Sequence, residues 1–282
     1  MNWLVLLLAL PLLAWTQYRT LPADLNGKPQ GCGVRWLTDD VPLSLDATPL
    51  DHVEDAQVLL VAQKAALAWQ QVQCPLCEDS CGMAQTCAQN PLGVNLHVLE
   101  TRGLPTLVGA TCTQVASDGG CANASSNGNW LNIVHNPVLW AEQGQSSSVV
   151  AVTVLTYDRQ NGEIRDADVL LDDVHHDFCL APDCPPGRYD LQSTLTHEFG
   201  HVLGLDHTQV SDAAMFAGAD PGEILKRSLK IDDTTGICTA YRTRCTTCAT
   251  SKTASCNASR SASAWIPCLL GLCACVLRRR RD

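Results

Sequence analysis

Apolar positions divide the chain into stretches with different periods. Val58, Val61, Ala65, Trp69 and Val72 recur at helical spacing, which predicts a helix with one face on a core. Thr48-Pro49-Leu50-Asp51 reads as its start, with a capping hydroxyl, a proline in the first turn and an acid at the third position. Val34–Leu37 reads as a first strand, and Val94–Leu99 alternates weakly as another. Leu131–Val134 is a third, and Val149–Tyr157, rich in Val and Thr, a longer one. Asn161-Gly162 is a turn dipeptide that leads into a strand over Ile164–Leu171. Leu191, Leu195, Phe199 and Val202 return to helical spacing, with Asp190 as the capping residue. Thr101–Asn129, rich in Gly, Ser, Asn and Thr, reads as a long loop.

The two ends break this pattern. Leu4–Ala14 is an apolar run too short for an ordinary membrane span, so residues 1–16 read as a signal peptide. Residues 17–30 carry Pro22, Gly27 and Pro29 and read as a loose leader. The folded part is expected over residues 31–248. Residues 249–263 are almost all Ser, Ala, Thr and Asn, as in a flexible linker. Residues 264–282 hold a fourteen-residue apolar run, Ala264–Leu277, followed by Arg278–Arg281. That run is short for a span, and the arginines suit the inner side of a membrane.

Charge and cysteine content narrow the class. A net charge of −10 argues against nucleic acid as a partner. Sixteen cysteines in 282 residues point to export into an oxidising compartment, at the cell surface or outside the cell. Cys74, Cys77, Cys81 and Cys87 are read as disulfide halves rather than a zinc knuckle, and Cys179 and Cys184 are close enough to pair.

The chemistry is concentrated in His197-Glu198-Phe199-Gly200-His201-Val202-Leu203-Gly204-Leu205-Asp206-His207. On a helix, His197 and His201 share a face and can aim at one point. Gly204 is where the helix should end, since glycine takes the left-handed turn, and that turn would return His207 as a third ligand. Three nitrogens and an open position suit a catalytic zinc. Glu198 lies beside them, free to serve water rather than metal. His175 and His176 lie in no visible ligand pattern and read as loop residues.

Residues 197–215, with Met215 eight positions after His207, resemble the metzincin zinc peptidases, in which a methionine turn lies beneath three histidines. Thr208 after the third histidine, and Leu229–Ile237 with Tyr241, are similar to the matrixin branch. The resemblance implies an α/β (α+β) zincin catalytic domain with a twisted, mostly parallel sheet, long helices and a disulfide-rich insertion. It implies one catalytic Zn2+, a protein or peptide substrate lying along an edge strand, and hydrolysis with Glu198 as base. Asp232 and Asp233 match residues that tie the last helix to the methionine turn. Animal matrixins also carry Ca2+ and a second zinc, but no loop for either is readable here. Cys32-Gly33-Val34 echoes the latency switch of that family, yet a strand follows directly and a disulfide is the favoured reading. The tail resembles Myxo-type C-terminal sorting signals, with Cys256 as the processing cysteine, so contact with a membrane is expected before processing; a plain membrane anchor is the alternative. For function as a whole, the alternative is a surface-displayed binding or adhesion protein that does not cleave.

Overall fold

The computed structural model of the chain describes residues 15–21, 30–46, 50, 53–74, 77–78, 84–85, 94–100, 111–112, 124–125, 128–180 and 184–242. Short strands β1 (Thr16–Gln17), β2 (Arg19–Leu21) and β3 (Gln30–Gly33) precede β4 (Asp40–Leu45) and helix α1 (Asp55–Gln70). The two-residue strands β5 (Cys77–Glu78) and β6 (Ala84–Gln85) come next, then β7 (Asn95–Glu100), β8 (Thr111–Cys112) and β9 (Ala124–Ser125). There follow β10 (Asn129–Val134), α2 (Pro137–Glu142), β11 (Ala151–Tyr157) and β12 (Ile164–Asp172). β13 (Phe178–Cys179) and β14 (Tyr189–Asp190) lead into α3 (Leu191–Val202), β15 (Leu205–Asp206), a 3-10 turn over Leu225–Arg227 and α4 (Ile231–Arg242).

The main sheet has the order β11-β12-β10-β4-β7. β12, β10, β4 and β7 are mutually parallel, and β11 runs antiparallel on one edge. The mixed α/β architecture with a mostly parallel sheet is the one expected. Leu43, Leu96, Leu131, Val169 and Leu171 are buried in the core against Ala62, Ala65 and Trp69 of α1 and Leu195 and Phe199 of α3. Two indoles fix the helices by donating to buried carbonyls: Trp69 Nε1 to Thr196 O and Trp36 Nε1 to Val202 O, each at 2.8 Å. The disulfide Cys74–Cys238 joins the chain just beyond α1 to α4, and Cys179–Cys184 closes a short loop ahead of α3. Cys74 thus pairs far outside its sequence cluster.

Several expectations need correction. α1 begins at Asp55 with Glu54 as its cap, not at Thr48; Leu50 is buried ahead of it, in a turn where its carbonyl accepts from Val53 N. Val34–Leu37 is not a sheet strand. Only Arg35 bridges, to Glu163, with Arg35 N donating to Gly162 O and Ile164 N to Arg35 O. The sheet strand lies further along, in β4, whose Pro42 reads against a central position. Pro42 is tolerated because pairing with β10 begins only at Leu43, and the Asn129 side-chain amide donates to Pro42 O.

The leader is not loose over residues 17–21, and Trp15 and Thr16, expected in the signal segment, are placed against the fold as well. β1 pairs antiparallel with β15, and β2 with β3. Trp15 N donates to Asp232 Oδ1 at 3.1 Å. Polar composition hid this because the pairing is made by backbone. The remaining signal segment, most of the Cys-rich insertion, the linker and the sorting tail lie outside the described residues. Among those described, no helix is long and apolar enough to cross a membrane.

Candidate active site

α3 starts where Asp190 caps it, its Oδ1 accepting from Ser193 N at 2.7 Å. His197 and His201 fall one turn apart on its buried face. The helix ends at Leu203, and Gly204 turns the chain with φ +92°. No other residue fits there, since a Cβ would lie 2.1 Å from Val34 O. β15 then runs out to His207. β1 braces it: Thr16 Oγ1 donates to His207 O at 2.5 Å and Tyr18 N to Gly204 O at 3.0 Å.

The three Nε2 atoms lie 3.2 Å from one another. The far nitrogens of two rings face carbonyls, His197 Nδ1 at 2.7 Å from Ala214 O and His201 Nδ1 at 2.8 Å from Leu205 O. Those carbonyls place the proton on Nδ1 and leave Nε2 as a lone-pair donor. Two lone pairs so fixed, converging with His207 Nε2 on one point, fit a cation. Metal–nitrogen bonds of about 2.0–2.1 Å at a tetrahedral angle separate ligand atoms by about 3.3 Å, close to what is seen. Burial holds the rings neutral, pulling His197 well below its usual range and His201 down to about 4 against the upward pull of the Leu205 bond. His207 is the exposed member of the three, and partial desolvation lowers it as well. The group could hold a metal.

Glu198 lines the same cleft as the histidines. Burial pushes its carboxyl up to about 7, against the bond from Thr153 and the nearby Lys226 cation. Thr153 Oγ1, on the edge strand β11, donates to Glu198 Oε2 at 2.6 Å. Below the histidines, Met215 is 2 % exposed and its carbonyl accepts from Thr208 N at 3.0 Å. Gly200 makes room for it, since a Cβ there would meet Met215 Sδ at 2.2 Å. Asp233 holds the turn, accepting from Ala214 N at 2.9 Å and Met215 N at 3.0 Å. Asp233 therefore has the tie expected of both aspartates, whereas Asp232 receives Trp15 N from the N-terminal segment.

The other residues weighed for a metal or thiol role lie outside the site, and His175 and His176 are loop residues as expected. His175 Nδ1 meets Asp172 Oδ2 at 2.8 Å, and His176 packs edge-on against Tyr189. Cys32 is disulfide-bonded, so it presents no free thiol to the metal position. The second cluster of ligand types, Cys179, Cys184 and Asp190, is spoken for by its disulfide and by the pairing of Asp190 with Arg227. Among the described residues no group of three carboxylates converges as a calcium site would need. Sequence reasoning missed Thr153, Tyr18 and Lys226. Tyr18 Oη lies 3.5 Å from His201 Nδ1, and Lys226 is buried in the cleft wall. A threonine in a Val-rich strand, a tyrosine in a presumed leader and a lysine in a polar turn carry no local mark of a site.

Three convergent histidines closed by a glycine turn, with a glutamate beside them and a methionine turn beneath, define a metzincin-type site. Residues 130–242 match the model of the matrixin family, peptidase M10, which supports a matrixin-type metzincin over that segment. It is also 46 % identical over 54 residues to metalloendoproteinase 4-MMP of Arabidopsis thaliana, an alignment that covers 19 % of this chain and 16 % of that protein.

Proposed function

We propose that the chain is a zinc-dependent endopeptidase acting on proteins outside the cytoplasm. The observation that carries the proposal is the convergence of His197, His201 and His207 Nε2 in one cleft with the Glu198 carboxyl. When bound, zinc supplies Lewis-acid polarisation of a carbonyl and makes water more acidic. Glu198 takes a proton from water and returns one to the leaving amine, a role suited to a carboxyl raised toward neutrality. Thr153 holds one of its oxygens and so fixes the direction of the other. β11 is an edge strand whose Ala151, Val152 and Thr153 line the cleft, so an extended peptide can pair with it by main-chain hydrogen bonds.

Export belongs to the same proposal and is supported by the disulfides, which persist in oxidising compartments. The tail is then removed near Cys256; mass spectrometry of the exported protein should show Asp282 missing, and an intact Asp282 would favour a membrane anchor. For the activity, the test is turnover of a denatured protein substrate before and after chelation. Cleavage should vanish with the metal and return with added zinc. A zinc-loaded protein that cleaves nothing would favour the non-cleaving binding protein.

A further inference from the structure

The proposed hydrolysis leaves two polar groups of the cleft without a task. Lys226 is 4 % exposed and Ser193 6 % exposed, and both line the cleft that holds Glu198. They come from adjacent elements, the 3-10 turn and the first turn of α3. Asp190 locks these together, its Oδ1 accepting from Ser193 N at 2.7 Å and from Arg227 Nε at 2.8 Å. The lock ties the end of the cleft that carries Lys226 to the turn that carries Ser193.

Lys226 Nζ donates to Phe216 O at 2.6 Å and to Gly218 O. An ammonium has three protons, so one donor remains. Among the described residues no carboxylate forms an ion pair with Nζ, although Glu223, Glu198, Asp233 and Asp220 all lie near enough to favour its charge. Ser193 Oγ has no hydrogen-bond partner among the described residues either. A buried cation and a buried hydroxyl short of partners both carry a cost that an incoming acceptor would relieve. The acceptor a peptide can bring that also answers the charge is a carboxylate.

We propose that this end of the cleft binds a carboxylate of the substrate, so that peptides with Asp or Glu adjoining the scissile bond are preferred. The inference rests on the endopeptidase reading and names its substrate class. Glu223 and Asp220 confine the preference to a single acidic residue that reaches Nζ rather than to strongly acidic segments.

The test uses the zinc-loaded full chain and peptides with amidated C-termini, identical except for Glu, Gln or Leu on either side of the scissile bond. Glu should exceed Gln in kcat/KM by about tenfold or more on one side, as a charged hydrogen bond gives. Lys226→Met should bring that ratio close to one, and Lys226→Arg should keep part of it. Because Lys226 also holds the Phe216–Gly218 backbone, Ser193→Ala serves as an independent variant, and it should lower the same ratio. Equal cleavage of Glu and Gln peptides by the wild type, or a ratio unmoved in both Lys226→Met and Ser193→Ala, overturns the inference while the endopeptidase reading stands. A parallel set with free C-termini completes the test: cleavage of that set only, whatever the side chains, assigns the site to the chain terminus and overturns the side-chain preference. Failure to cleave any peptide strikes the endopeptidase reading itself.

Discussion

Gly204→Ala perturbs the turn on which the metal site depends. Gly204 has φ +92°, a backbone conformation that costs an L-residue about 1–3 kcal/mol. The added Cβ would also lie 2.1 Å from Val34 O, a backbone atom that cannot swing aside. Moving Val34 strains two bonds, Val34 N to Tyr18 O at 2.8 Å and Gln17 Nε2 to Val34 O at 3.0 Å. Each is worth roughly 1 kcal/mol, so the total is about 3 kcal/mol or more. For a domain of this size that lowers Tm by roughly 6–12 °C. Gly144→Ala is the control, because Gly144 also has positive φ, +71°, but nothing within 4 Å of its Cβ. It should show the backbone cost alone, about 1–2 kcal/mol. Since His207 follows the Gly204 turn, zinc affinity measured by chelator competition should fall about 10–100-fold in Gly204→Ala only. Equal Tm losses for the two variants, with zinc affinity retained in both, would refute the close-approach reasoning.

Three further outcomes follow from contacts elsewhere in the site and fold. Asp233→Ala leaves the Ala214, Met215 and Lys230 amides without their acceptor and should cost about 3 kcal/mol in denaturant unfolding, at roughly 1 kcal/mol for each; a neutral effect would mean the methionine turn is held by packing alone. Cys74→Ser opens a bridge across a sequence separation of 164 and should cost about 2–5 kcal/mol, with peptidase activity per zinc-loaded molecule retained at low temperature. Thr153→Val removes the hydroxyl on Glu198 Oε2 and should lower kcat/KM by about tenfold with zinc content unchanged; an unchanged kcat/KM would show that Glu198 is oriented by other groups.

The zinc helix was legible because its signals are local. A cap, a helical face, a glycine turn and a third histidine all fall within Asp190–His207, and the structure assembles them as their spacing implies. β10, β11 and β12 were legible for a similar reason, since runs of Val, Leu and Ile mark strands of a sheet covered by α1 and α3. β4 was hidden by Pro42, whose tolerance depends on where the β10 partner happens to begin. β1 and Tyr18 were hidden because their pairing with the turn after α3 is made by backbone between segments far apart in sequence, Thr16 opposite Asp206. Lys226 reads as a solvated cation in a polar turn, and only the packing of that turn on α3 buries it. The cysteines gave an expectation of disulfides, but the Cys74–Cys238 pairing is a property of the fold that spacing could not supply.

The central claim is that Glu198, beside a three-histidine zinc site, carries out peptide-bond hydrolysis. Glu198→Gln keeps size and polarity but cannot accept a proton. The decisive measurement is the rate of peptide cleavage by Glu198→Gln and wild type, each carrying one zinc per chain by elemental analysis. The account predicts a rate on the order of 10²–10⁴-fold lower in the variant at equal zinc content. A zinc-loaded Glu198→Gln protein that cleaves at the wild-type rate would contradict it.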